Sequence, residues 1–165
     1  NDGHFLPDEF DVTKELAERT KWESTRPFLA CGTCRMICSH VLQRAEASAE
    51  ARETDVVDQF LDAFEAVCEA SDEDLFHRYQ ITNATGQWDV VPTERADARH
   101  AGELKFQALV LRDACYFMVI PNDYTLAQSL VREGGTEEEV TAKACTAAKL
   151  CEPQRAAPAG AKDDL

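Results

Sequence analysis

The sequence predicts an all-α fold: a disulfide-stapled helical bundle with one β-hairpin inserted between its second and third main helices. Three observations lead there. Apolar residues recur at three- and four-residue steps along most of the chain; seven cysteines fall on or beside those segments; and over residues 76–92 the helical period gives way to alternation.

The elements follow in order. Residues 1–24 are polar and acidic, with a short amphipathic pattern around Phe10, Leu16 and Trp22, and read as a loosely attached arm. After Pro27, Cys31, Cys34, Cys38, Val41, Leu42 and Ala45 share one helical face, which predicts a first main helix over about 29–50. Thr54 or Asp55 can cap a second, in which Val56, Val57, Phe60, Leu61, Phe64, Val67 and Cys68 form a broad stripe ending near Ala70. In residues 76–92, Tyr79 and Ile81 alternate, N83-A-T-G86 supplies a turn, and Trp88, Val90 and Val91 precede Pro92, the pattern of a hairpin. Helical spacing resumes at Leu104, Ala108, Leu111, Cys115, Met118 and Val119 until Pro121 kinks or ends it. A short helix with Leu126 and Leu130 is closed by Gly134-Gly135. Thr136 and Glu139 then form a capping box for a last helix carrying Val140, Ala144, Cys145, Ala148 and Cys151. The organisation expected is an arm over 1–24, one domain over 25–152 with its insertion at about 71–103, and a flexible tail over 153–165.

Composition narrows the function. Seventeen basic against 31 acidic residues leave a formal charge of −14, which argues against nucleic acid and anionic lipid headgroups and favours a basic partner or a solubility role. No stretch reaches 18 uncharged apolar residues, so no transmembrane segment is expected. The cysteine content points to an oxidising compartment or a metal site. Residue 1 is Asn and no signal-like segment opens the chain, so a mature secretory-pathway chain is expected, with its signal peptide removed. Asn83 heads an N-glycosylation sequon, N83-A-T85, and the chain ends Lys162-Asp163-Asp164-Leu165, one conservative change from the tetrapeptide by which a retrieval receptor returns proteins to the endoplasmic reticulum.

Three chemistries compete for the cysteines. C31-G-T-C34 has oxidoreductase spacing at a helix start, where the helix dipole lowers a thiol's pKa, yet no β-rich run precedes it as a thioredoxin-like fold requires. Zinc would need a second Cys-x-x-Cys or a His pair, and His4, His40, His77 and His100 are scattered; no metal or other cofactor is expected, and His40 reads as a partly exposed surface residue. The third is a disulfide framework. Should the first and last helices lie together, Cys31 would reach Cys151 and Cys34 would reach Cys145, with Cys68 and Cys115 tying the middle helices and Cys38 left as a buried free thiol. A bridge closing so long a loop contributes on the order of 4–5 kcal/mol in the chain-entropy model.

This arrangement resembles the saposin-like fold, in which an early Cys-x-x-Cys, two middle cysteines and a late pair make three nested bridges around a helical bundle. More narrowly, C31-G-T-C34-R35 opening the first main helix, the 46 residues between Cys68 and Cys115, the G102-E-L-K-F106 run and the terminal retrieval signal look like the canopy family, saposin-like proteins of the endoplasmic reticulum. The extra Cys38 and the Asp-Asp of the retrieval signal depart from that pattern. The resemblance implies a non-enzymatic co-chaperone or folding factor that binds a chaperone of the endoplasmic reticulum lumen and secretory or membrane client proteins. The alternatives are a lipid-binding saposin-like protein and a thiol–disulfide oxidoreductase using Cys31 and Cys34. Tyr79, Trp88 and Val90 are the candidate partner-binding residues, with core packing as their competing role. The acidic runs S71-D-E-D74 and E137-E-E139 read as solvated helix caps, since the alternating oxygen-ligand pattern of a calcium loop is missing.

Overall fold

A computed structural model describes residues 12–46, 53–69, 73–83, 86–93 and 101–152. Among these the chain forms α1 (Val12–Glu23), α2 (Ala30–Glu46), α3 (Glu53–Cys68), α4 (Glu73–His77), β1 (Tyr79–Thr82), β2 (Asp89–Pro92), α5 (Ala101–Ala114), α6 (Asp123–Arg132) and α7 (Glu137–Ala147). The tail over 153–165, with Lys162, Asp163, Asp164 and Leu165, lies outside the described residues, as do Phe10, Ala84 and Thr85.

Helix α2 is the centre of the molecule. It packs on α3, α7, the turn that follows α5, and strand β2. Its sequence explains why: Thr33, Cys34, Met36, Ile37, Cys38 and Val41 are all buried, a face wide enough for several neighbours at once. Among the described residues, Phe64, Leu29, Ile37, Leu75, Leu111 and Leu126 are the largest fully buried side chains. Helices α6 and α7, connected through Gly134-Gly135, pack on each other, and α6 also packs on α3. Gly135 has φ +123°, a backbone region that side chains rarely adopt, and a Cβ there would meet the Glu139 carboxylate at 2.5 Å. Thr136 then caps α7: its hydroxyl accepts from the Glu139 amide at 3.1 Å while the Glu139 carboxylate accepts from the Thr136 amide at 3.0 Å, the capping box expected from the sequence.

The inserted hairpin is antiparallel, pairing Tyr79 with Pro92, Gln80 with Val91, Ile81 with Val90 and Thr82 with Asp89. Opposed residues share a face, so Tyr79, Ile81, Val90 and Pro92 form one side. Ile81 is buried, and the Ile81 amide donates at 2.7 Å to the side-chain oxygen of Gln107, itself buried on α5. A strand edge that would otherwise bury an unpaired N–H is thereby satisfied.

Three elements differ from expectation. Of the loose arm expected over 1–24, residues 1–11 lie outside the described residues; from Val12 onward α1 packs on α5 and buries Trp22 in the core, leaving Leu16 exposed. The short helix α4, read from the sequence as the beginning of the hairpin insert, buries Leu75 and Phe76. The third main helix stops at Ala114 and widens into a π-helical turn, Cys115–Val119, followed by a 3-10 turn, Ile120–Asn122. Pro121 has no N–H to give to the carbonyl four residues earlier, so the Ile120 amide bonds back to the Cys115 carbonyl and the Asn122 side chain donates to the Met118 carbonyl at 2.8 Å.

Candidate functional site

The cysteines pair as Cys31–Cys151, Cys34–Cys145 and Cys68–Cys115, across sequence separations of 120, 111 and 47 residues. Two bridges tie the start of α2 to α7 and the segment after it; the third ties the end of α3 to the π turn. In the chain-entropy model, loops longer than 100 residues contribute about 4–5 kcal/mol per bridge.

C31-G-T-C34 is thereby divided among three tasks. Cys31 and Cys34 each reach a different cysteine at the C-terminal end, so neither is the other's partner. Gly32 faces strand β2: a Cβ there would stand 3.1 Å from the Val90 amide nitrogen, the Val90 Cγ2 and the Asp89 carboxylate. Thr33 is fully buried, and its hydroxyl has no hydrogen-bond partner. A residue missing only a side chain at 32 lets a helix and a strand approach backbone to backbone.

Cys38 is fully buried, and its Sγ lies 3.9 Å from the Cys34 Sγ and 3.9 Å from the Cys145 Sγ. Burial pushes the Cys38 thiol up from 9.0 to about 12, because the apolar surroundings disfavour the thiolate. These are the three sulfurs brought together in one place, within 4.8 Å of one another.

The hairpin is clamped to α2 at a second point, where His40 Nε2 and the Tyr79 hydroxyl are 2.6 Å apart and the rings meet edge to face at 5.7 Å. His40, read from the sequence as a partly exposed surface residue, is half-buried in this contact. Burial raises the Tyr79 pKa and Glu137 adds to the rise, while Arg78 opposes it. A cleft of about 260 Å³ lies where Gly32, Arg35, Ser39, Tyr79, Val90 and Glu137 converge, and Arg35 also borders a larger one of about 710 Å³ beside Cys31, Lys143 and Cys151. The Ser39 hydroxyl donates to Glu137 across the first, and Glu139 is engaged in the capping box, so two of the carboxylates in E137-E-E139 have protein partners. They also complement the N-terminal end of the α7 dipole.

Of the candidate partner-binding residues, Tyr79, Trp88 and Val90 are all half-buried and packed against the core. Asn83 is exposed at the end of β1. Other aromatic side chains, which the sequence did not single out, are exposed. Phe28 is 63% exposed, Phe117 66%, Tyr116 42% and Tyr124 57%. The 3-10 turn Arg26–Phe28 packs against α5, which puts the Arg26 guanidinium 5.4 Å from the centre of the Phe117 ring and 3.9 Å from the Asp113 carboxylate. The π turn creates this exposure: Cys115 and Val119 point inward, and the residues between them include two aromatics that face solvent. The only sequence signal was Pro121 following an aromatic pair at the end of a helical period.

No protein-family model matches the chain, and neither does any curated protein or solved structure. Among the described residues, no helix is long and apolar enough to cross a membrane.

Proposed function

We propose that this protein is a saposin-like folding factor or co-chaperone of the endoplasmic reticulum lumen, related to the canopy family, which binds a lumenal chaperone and secretory or membrane client proteins without catalysing a reaction on them. The observation that carries the reading is the use of C31-G-T-C34: its two cysteines sit in separate bridges to the C-terminal end, the nested pattern that the resemblance implies. A thiol–disulfide oxidoreductase needs those cysteines to pair reversibly with each other at an accessible site, and Cys34 is fully buried.

Disulfides suit an oxidising lumen, and Lys162-Asp163-Asp164-Leu165 is one conservative change from the tetrapeptide that a retrieval receptor reads. Asn83 is exposed and therefore open to glycosylation there. The residues offered to partners are the exposed aromatics Phe28, Tyr116 and Phe117, since Tyr79, Trp88 and Val90 are half-buried and packed against the core.

Two arms test this. The chain expressed behind a signal peptide in cells is retained, and loss of the last four residues sends it to the medium. Co-precipitation after crosslinking recovers the ATP-dependent chaperone of the lumen. Secretion of both forms alike, or recovery of phospholipid in place of chaperone, would overturn the reading, the second outcome in favour of a lipid-binding saposin-like protein.

A further inference from the structure

The three sulfurs of Cys34, Cys38 and Cys145 form a set in which only one pair can be joined at a time. Cys34 and Cys38 are one turn apart on α2, both are fully buried, and both face Cys145 on α7. Cys38 Sγ is as close to Cys145 Sγ as to Cys34 Sγ, at 3.9 Å in each case. A displacement of about 2 Å therefore separates the sulfur contact from a bond, given an S–S length near 2.05 Å.

We propose that Cys38 is an alternative partner for Cys145, so that the bridge between α2 and α7 exchanges internally between Cys34–Cys145 and Cys38–Cys145. In the step, Cys38 gives up its proton and its thiolate attacks the Cys145 sulfur. The Cys38–Cys145 bond forms as the Cys34–Cys145 bond breaks, the electron pair leaves on the Cys34 sulfur, and Cys34 takes a proton. One disulfide and one thiol are present before and after, so no oxidant or reductant is consumed. Attack on Cys145 keeps α2 joined to α7, whereas attack on Cys34 would confine the bridge to one helix and release Cys145.

The resting geometry holds the exchange in check. Equal distances to the two bonded sulfurs place Cys38 beside the bond, and attack at sulfur requires approach along the extension of the bond. Burial also keeps the thiol protonated. Exchange therefore belongs to states in which α2 and α7 have loosened, such as partly folded ones. The Cys31–Cys151 bridge limits how far they part.

The test is peptide mapping of the full oxidised chain after incubation in mild denaturant at alkaline pH without oxidant or reductant, followed by acid quench and alkylation. The expected result is a new fraction with Cys38 joined to Cys145 and the label on Cys34. Label confined to Cys38, or appearing on Cys145, overturns the proposal. A second variant reads the same competence without relying on rates: Cys34→Ser, refolded with glutathione disulfide as the two-electron oxidant, is expected to join Cys38 to Cys145 and keep no alkylatable thiol. Free thiols at both positions in a chain whose other two bridges have formed would overturn it equally.

Discussion

Gly32 and Val90 meet backbone to backbone: a Cβ on Gly32 would stand 3.1 Å from the Val90 amide nitrogen. That contact is what the glycine of C31-G-T-C34 is for, and it seats the hairpin against the central helix. Gly32→Ala gains up to about 1 kcal/mol from helix propensity, while overpacking of this kind costs about 1–3 kcal/mol. The net expectation is a loss of roughly 1 kcal/mol in urea unfolding, with a larger loss for Gly32→Val, and a shift in Trp88 fluorescence as β2 is pushed away. An alanine variant as stable as the parent or more so, with unchanged Trp88 emission, would contradict the contact.

The other middle residue of the motif predicts the opposite sign. Thr33 buries a hydroxyl with no partner, so Thr33→Val removes an unsatisfied polar atom at nearly constant shape. Stability is expected to rise by about 1 kcal/mol in the same assay. A loss greater than that would mean the hydroxyl has a role the structure does not assign.

His40 and Tyr79 hold the hairpin at its other end. Tyr79→Phe removes the hydrogen bond and is expected to cost about 0.5–1.5 kcal/mol. Gly135→Ala, which combines a strained φ with the Glu139 contact, and Thr136→Ala, which removes the cap, each lower stability through α7; the cap alone contributes about 1 kcal/mol.

The pH dependence has a definite direction. Cys38 and Tyr79 both have folded-state pKa values above their ordinary 9.0 and 10.0, so the folded chain holds these protons longer than the unfolded chain. Their contribution to stability is complete below about pH 9 and is lost as the pH rises toward the folded values, about 12 for Cys38. Cys38→Ala is expected to flatten the decline from pH 9 upward, and Tyr79→Phe the part above pH 10. Unfolding midpoints measured across that range check both; parallel curves for parent and variants would contradict the assignment.

Under the proposed function, partner binding is expected to depend on the exposed aromatics Phe28, Tyr116 and Phe117 and not on the hairpin. Phe117→Ser exchanges an exposed ring for a hydroxyl, so stability is expected to stay within about 0.5 kcal/mol of the parent. If the proposed function holds, affinity for a lumenal chaperone or an unfolded client is expected to fall severalfold, as for an exposed aromatic anchor. Unchanged binding would move the partner surface elsewhere.

How much of this was legible in the sequence follows from what each signal depends on. Periodicity located α2, α3, α5 and α7 because their apolar stripes are set by local spacing, and the Thr136–Glu139 box is wholly contained in four residues. The hairpin was legible from alternation around a turn. The π turn was not, because a proline signals only that a helix bends or ends, and the tether at Cys115 runs to Cys68, 47 positions earlier. The burial of Trp22 leaves no local signal, because α1 packs on α5, far along the chain. Gly32 could be seen as a glycine in a motif, but its neighbour β2 lies 58 positions away by number, which no local pattern records.

The most direct test of the account is non-reducing peptide mapping of the native chain, acid-quenched, with alkylation before and after denaturation. Cys31 is expected to be joined to Cys151, Cys34 to Cys145 and Cys68 to Cys115, with Cys38 labelled only after denaturation. A bridge between Cys31 and Cys34 would contradict it, because C31-G-T-C34 would then be a redox pair and not the staple that holds α2 to the C-terminal end.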